Sequence, residues 1–118
     1  MTGECQVHGD PQVLDAHPKA ASASGLVIER VVRLWGELDL SSRDDIRRRL
    51  ADAITAANRV VVDLAAVEFI DCAAIGAIVS AYAVAELSGV EMVLRSPQPS
   101  VRRVLALVEL DRLVPVVP

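Results

Sequence analysis

The sequence predicts an α/β domain with a mixed, mainly parallel β-sheet of four to five strands and helices packed mostly on one face. Short apolar, β-branched runs alternate along the chain with longer segments whose apolar residues recur at helical spacing. Alternation of this kind is typical of parallel sheets, and three helices are few to cover two faces. The chain has 118 residues, of which 53% are hydrophobic, which is enough for one domain with one core.

The first part of the chain differs in composition from the rest. Residues 1–24 are polar and rich in small residues, with Pro11, Pro18 and a run of alanine and serine. We expect residues 1–24 to be a flexible N-terminal extension and residues 25–118 to be the folded domain. Alternatively, Gln12 to Ala16 adds an edge strand to the sheet.

The first half of the domain predicts a strand, a helix and a second strand. Leu26 to Leu34 is apolar and β-branched, and Trp35-Gly36 ends this strand. Ser41 and Ser42 are candidate N-caps for the helix, and Asn58 is its predicted stop. Val60 to Leu64 is a short apolar run that suits a central strand. The helix places one apolar face on the core, at Ile46, Leu50, Ala53, Ile54 and Ala57.

The second half continues the alternation. Ala73 to Ser88 predicts a helix that Gly89 terminates, and Val90 to Leu94 predicts a strand. Ser100 is a candidate cap for a third helix, with an apolar face at Val101, Val104, Leu105 and Val108. Val114 to Val117 is the predicted final strand.

Charge and composition exclude several classes of function. The formal net charge is −4, which argues against a nucleic-acid surface. No apolar run is long enough to span a bilayer, and the N-terminus lacks the pattern of a signal peptide, so we expect a cytoplasmic protein without direct membrane insertion. Two cysteines do not make a disulfide framework. We expect no cofactor.

The inventory of reactive residues argues against an enzyme. The histidines, His8 and His17, lie in the predicted extension, so Cys72 has no obvious activating base. No glycine-rich phosphate loop of the P-loop or Rossmann type is present. Cys5, His8 and His17 do not supply the four closed ligands of structural zinc, and we interpret their spacing as coincidence rather than a metal site.

Four segments in order resemble one family. Gly36-Glu37-Leu38-Asp39 follows the first strand, and Val62-Asp63-Leu64 leads through Val67-Glu68-Phe69-Ile70-Asp71 to the second helix. Ile75-Gly76 follows in that helix, and the third helix and its exit make the fourth match. These motifs resemble the STAS family of bacterial anti-sigma-factor antagonists, from about Leu26 to Val117.

The resemblance implies a protein that switches partners. Such an antagonist binds an anti-sigma factor of the ATP-binding kinase type and so frees a sigma factor for transcription. In the family, a serine or threonine after the aspartate is phosphorylated, and the added charge of about −1.5 to −2 opposes docking. We therefore expect an anti-sigma factor as partner, and a chain that is a monomer or a weak homodimer.

The position equivalent to the family phosphorylation site is occupied by Cys72. Ala73 has no hydroxyl, Ala74 stands where the family usually has glycine, and the nearest downstream hydroxyl is on Ser80. We therefore predict that phosphorylation control is absent at this junction. A helix start favours a reactive thiolate while Asp71 and Asp39 oppose it, so an inert cysteine and a redox switch both remain open.

The predicted partner-binding surface lies at two chain junctions and along the second helix. Small side chains there would let a partner approach the helix closely. Its predicted members are Asp39, Leu40, Ser41, Ser42, Asp71, Cys72, Ala73, Ala74 and Ala77.

Three features of this surface and its surroundings have two interpretations each. Asp39 and Asp71 line the docking surface or cap turns and helix starts. Trp35 is an interface anchor or packs at the edge of the core. Arg47 to Arg49 form a basic patch or, as we favour, a solvated helix face paired with nearby aspartates.

The alternative function is a STAS-like accessory subunit of an ABC-type membrane transporter. Such a subunit would bind an ATPase subunit through the same helix and would need no phosphorylatable residue. A third alternative is a degenerate scaffold that binds several regulators.

Overall fold

The structure is a computed structural model, and it describes residues 26–118 of the chain. The predicted extension and its alternative edge strand lie outside the described residues, as do Cys5, His8 and His17. Within the described part, no helix is both long enough and apolar enough to cross a membrane.

The described residues form one parallel sheet in which the strands follow their order along the chain. The sheet order is β1-β2-β3-β4, and each neighbouring pair is parallel. The predicted α/β class and a strand count of four are therefore confirmed. The elements are β1 (Glu29–Leu38), a short 3-10 helix (Leu40–Ser42), α1 (Arg43–Ala56), β2 (Arg59–Ile70), α2 (Cys72–Leu87), β3 (Glu91–Arg95), α3 (Pro99–Leu107), α4 (Leu110–Leu113) and β4 (Val116–Val117).

The hydrophobic core lies between the helices and one face of the sheet, as predicted. Alternate strand residues such as Val32, Val62 and Leu94 are completely buried there, because successive side chains of a strand point to opposite faces. The helices contribute Ile46, Leu50 and Ile54 from α1, Ile75 and Ile78 from α2, and Val101 and Leu105 from α3. This core contains no fully buried aromatic ring.

Asn58 ties the beginnings of the first three strands together. Its side-chain amide donates to the carbonyl of Leu26 at 2.8 Å and accepts from the N–H of Ile28 at 2.7 Å. Its own carbonyl accepts from the N–H of Glu91 at 3.0 Å. The residue predicted as a helix stop therefore also sets the relative positions of β1 and β3.

Several elements end at residues other than those predicted. β2 continues to Ile70 instead of ending at Leu64, and β1 continues through Trp35 and Gly36 to Leu38. The third helix begins at Pro99, since the fixed φ of proline suits the first helical position. β4 has only two residues because the short helix α4 precedes it.

Two bulges explain the unexpected length of β2. Arg33 pairs with Asp63 but Trp35 pairs with Ala66, and Gly36 pairs with Val67 but Glu37 with Phe69. Each irregularity adds one residue to β2, so its 12 residues match the 10 of β1. A bulge re-aims side chains and increases twist. Gly36 has a φ of +76°, which favours glycine because other residues are strained there.

The sheet face opposite the helices carries three cross-strand rows. Glu29, Arg59 and Glu91 form an acid–base–acid row, and Val31, Val61 and Val93 form the apolar row next to it. The third row is base–acid–base, with Arg33, Asp63 and Arg95 side by side. Opposite charges on neighbouring strands stabilise a sheet, so these rows suit a face that no described helix covers.

The ion pairs in these rows are short. Arg95 Nη2 lies 2.9 Å from Asp63 Oδ2, and Arg33 Nε lies 3.6 Å from the same oxygen. In the other row, Arg59 Nε lies 3.0 Å from Glu29 Oε2, although without the alignment of a hydrogen bond, and Arg59 Nη1 lies 3.3 Å from Glu91 Oε1. Asp63 and Arg59, the central residues of the two charged rows, therefore each form ion pairs with two neighbouring strands.

Asp63 is the one buried charged or polar residue of the described chain. Burial by itself would raise the pKa of its carboxyl group. Hydrogen bonds from the N–H of Ala65 and from Arg95, together with the charges of Arg95 and Arg33, outweigh burial and hold this pKa below its ordinary value of 3.8.

The substitution Asp63→Asn tests this charged row. It should lower the free energy of unfolding at pH 7 by about 1 kcal/mol, because both arginines lose their carboxylate while remaining partly exposed. Since the folded-state pKa is lowered, the carboxylate stabilises the fold above pH 3.8, and this contribution disappears as the pH falls further. The difference between the two proteins in urea unfolding should therefore shrink below pH 3.8. Glu91→Gln, in the more exposed row, should change stability little at any pH; an equal loss would contradict this account.

Candidate functional site

The candidate site lies where β1 and β2 end at the same edge of the sheet. Leu38 pairs with Ile70, so the next residues, Asp39 and Asp71, leave the sheet side by side. The N–H of Asp71 donates to the carbonyl of Leu38 at 3.0 Å and joins the two exits. The 3-10 helix that follows β1 also contacts α2. The structure therefore brings together the two predicted junctions, which are 32 positions apart in the sequence.

Asp39 organises the first junction. Its Oδ1 accepts from the Ser41 N–H at 3.0 Å, from the Ser41 hydroxyl at 2.6 Å and from the Ser42 hydroxyl at 3.3 Å. In return, the Asp39 N–H donates to Ser42 Oγ at 3.2 Å, which completes a capping box on the 3-10 helix. The hydrogen bond from the Ser41 side chain is the main reason why the pKa of Asp39 lies below its ordinary value.

Of the two predicted N-caps of α1, Ser42 is confirmed in position, but neither serine caps the helix with its side chain. Ser42 stands at the N-cap position of α1 but makes no side-chain cap there. Both hydroxyl groups are instead directed to the Asp39 carboxylate. Asp39 is thus the capping residue, and its capping role leaves the carboxylate at the protein surface.

Asp71 organises the second junction as the N-cap of α2, one of the two roles the sequence allowed. Its Oδ1 accepts from the Ala74 N–H at 3.0 Å, and its carbonyl accepts from the Ile75 N–H at 3.0 Å. The cap satisfies one of the unpaired donors at the helix start.

Cys72 is the first residue of α2, and its thiol is exposed. Asp71 caps the first turn of α2, and within that turn Ala74 and Ile75 are buried whereas Cys72 is exposed. The thiol and the two flanking aspartates therefore lie at the surface rather than in the core.

Two predicted contact residues do not lie on this surface. Ala74 and Ala77 are 0% and 2% exposed, because they lie on the side of α2 that packs into the core with Ile78. Neither can contact a partner without movement of the helix, so the expectation that they admit a partner is wrong. Ala73 is half-buried, and α2 instead exposes the small residues Gly76, Ser80 and Ala83.

Exposed apolar side chains surround the junctions. Leu40 is 63% exposed, Phe69 is 50% exposed and Trp35 is 41% exposed. The sequence predicts Leu40 as a contact residue, but it ends the second strand at Leu64 and so does not place Phe69 on an exposed strand face. The spacing of the buried residues Leu64, Val67 and Ile70, in steps of three, is the signal that could have revealed a bulged strand.

The site combines several kinds of surface side chain. Within the described residues, no group of three or more histidine, cysteine or acidic side chains could hold a metal ion. The junctions present carboxylates, a thiol and apolar side chains at the surface, which together form a chemically mixed contact area.

Comparison with known proteins gives consistent results. A STAS domain family model matches residues 18–118. The chain is 31% identical over 88 residues to an anti-sigma F factor antagonist of Paenibacillus polymyxa, covering 73% of this chain and 75% of that protein. A putative anti-sigma factor antagonist of Thermotoga maritima superimposes with a TM-score of 0.70 at 28% identity, covering 76% of this chain and 79% of that one. The anti-sigma factor antagonist SpoIIAA in its unphosphorylated form superimposes with a TM-score of 0.66 at 25% identity, covering 77% of this chain and 81% of that one.

Asp71→Ala tests the cap that supports the exposed thiol. The loss of the side-chain acceptor should lower the free energy of unfolding by about 1 kcal/mol, measured in urea. Asp71→Ser retains an acceptor and should lie within a few tenths of a kcal/mol of the unchanged protein. Equal stability of the alanine and serine variants would show that this cap contributes nothing.

Proposed function

The chain belongs to the STAS domain family, and we propose that it is an anti-sigma-factor antagonist. It binds an anti-sigma factor of the ATP-binding kinase type and thereby releases a sigma factor for transcription. It acts by binding and carries out no reaction of its own. Names of relatives at 31% and 28% identity support the general function.

The observation that supports docking at the junctions is the exposed Cys72 at the start of α2. The position that a family member would phosphorylate is here reachable from solvent, and the two capping aspartates, Asp39 and Asp71, are held in place by hydrogen bonds. The proposed contact residues are Asp39, Leu40, Ser41, Ser42, Asp71, Cys72 and Ala73.

Control by phosphorylation is absent in this proposal. A serine/threonine kinase transfers phosphate to a hydroxyl, and Cys72 has none. Ser80 is exposed but lies two turns further along α2, away from the helix start. Without a phosphate, the charge that opposes docking in the family never forms, and the chain stays competent to bind.

A phosphotransfer experiment tests both parts of the proposal. The purified kinase-type anti-sigma factor of the same organism is mixed with this chain, with and without labelled ATP. The unchanged chain should bind in both conditions and remain unlabelled. Cys72→Ser should bind without ATP, then acquire label and dissociate when ATP is added, because the new hydroxyl lies at the exposed helix start.

Each failure in this experiment has its own meaning. Absence of binding by both the unchanged chain and Cys72→Ser would refute the proposed partner. In a separate pull-down from cells of the same organism, recovery of a transporter ATPase would support the accessory-subunit alternative. Label at the junction of the unchanged chain would refute the absence of phosphorylation control.

Covalent modification of the thiol tests whether Cys72 lies in the contact area. Oxidised glutathione exchanges with a thiol to give a mixed disulfide and one reduced glutathione. At Cys72 this adds a bulky, charged group, so the affinity for the anti-sigma factor should fall and should recover on reduction. Cys72→Ser retains Cys5 and should bind equally before and after treatment. An unchanged affinity of the modified chain, with the adduct confirmed by mass spectrometry, would place Cys72 outside the contact area.

A further inference from the structure

The inference concerns a two-stranded ribbon that extends beyond the rest of the sheet. Pairing between β2 and β3 ends at Asp63 and Arg95, whereas pairing between β1 and β2 continues to Leu38 and Ile70. The last part of β1 and β2 therefore forms a ribbon whose end is the candidate site. We call its exposed side chains the ribbon surface; they are Trp35, Glu37, Ala65, Ala66, Glu68 and Phe69.

Strand alternation shows which way the two aromatic rings point. Trp35 follows Leu34, which is completely buried in the core, and Phe69 precedes Ile70, which is 2% exposed. Successive strand residues point to opposite faces, so both rings project on the side away from the helices.

The chain uses its few aromatic residues in an unusual way. The whole sequence contains one tryptophan, one phenylalanine and one tyrosine. Trp35 and Phe69 are 41% and 50% exposed and lie on adjacent strands. An exposed aromatic pair contributes nothing to the core, and neighbouring exposed apolar side chains mark interaction sites. Tryptophan in particular is enriched among the residues that dominate binding energy.

The charge around the rings indicates the chemistry of the partner. Residues 34–42 and 64–71 contain Glu37, Asp39, Glu68 and Asp71 but no lysine or arginine. Arg33, two residues before Trp35 on the same face, already forms an ion pair with Asp63. Glu37 and Glu68 are exposed beside the rings. A partner surface that covers this region must place positive charge around an apolar contact, since like charges in an interface oppose binding.

We propose that the ribbon surface is the second half of the docking surface and that Trp35 and Phe69 are its anchors. They enter apolar pockets of the anti-sigma factor whose rims carry lysine or arginine. The partner thus covers the junctions and the helix-free side of the ribbon. This inference rests on the proposed function, because it concerns the same partner.

The experiment measures the affinity of alanine variants for the purified kinase-type anti-sigma factor by titration calorimetry. Trp35→Ala and Phe69→Ala should each weaken binding about 30-fold, as expected for buried aromatic anchors. Trp35→Phe should retain most of the affinity because it keeps a ring. Leu107→Ala is the matched control: Leu107 is 76% exposed at the end of α3, and its removal should change affinity less than twofold. Thermal unfolding verifies that each variant is folded.

The charge requirement is tested separately. Glu37→Gln combined with Glu68→Gln should slow association and make it less dependent on salt, because the attraction between acidic and basic surfaces is screened by ions. If the double variant associates at the same rate and with the same salt dependence as the unchanged chain, the proposed basic rim of the partner's pockets is wrong.

The outcomes separate this inference from the proposed function. Undiminished binding by both folded alanine variants, with binding lost on glutathione modification of Cys72, would overturn the ribbon surface and leave the proposed function intact. Absence of binding by the unchanged chain would overturn the proposed function and the ribbon surface with it.

Discussion

The parallel pairing of β1 with β2 determines where every other part of the candidate site lies. Parallel strands end at the same edge of a sheet, so the pair formed by Leu38 and Ile70 delivers two chain exits to one place. The helices then begin at this edge, and an aspartate caps each exit. The hydrogen bond between the Asp71 N–H and the Leu38 carbonyl is the physical link on which this arrangement depends.

The simple strand order has a second consequence. In the described sheet, the connections between successive strands lie on one face, which leaves the other face without a helix. On this face, residues of alternating charge form two rows of ion pairs, one on each side of a row of valines. Long arginine side chains satisfy the carboxylates and also shield apolar surface with their stems. The open face is therefore stabilised by charge pairing on both sides of a row in which Val61 and Val93 are buried.

The sequence predicts the fold class and the buried face of α1 well, since these depend on local periodicity. It also predicts the start of α2 to within one residue, at Ala73 instead of Cys72. It does not predict the length of β2, because Ala65, Ala66 and Glu68 resemble a loop, and only pairing with β1 makes them a bulged strand. Small residues on α2 were likewise ambiguous: Ala74 and Ala77 suit close approach by either a partner or the core, and the rotation of the helix assigns them to the core.

Asp71 and Cys72 are neighbours with different roles: Asp71 caps α2, and Cys72 is exposed at the surface. Asp71 is tied to the backbone of α2, so its replacement disturbs folding, whereas the neighbouring side chain points outward and supports nothing inside the protein. A substitution of the exposed residue therefore costs the fold little. A change at position 72 alters what the surface presents to another molecule while the scaffold stays the same.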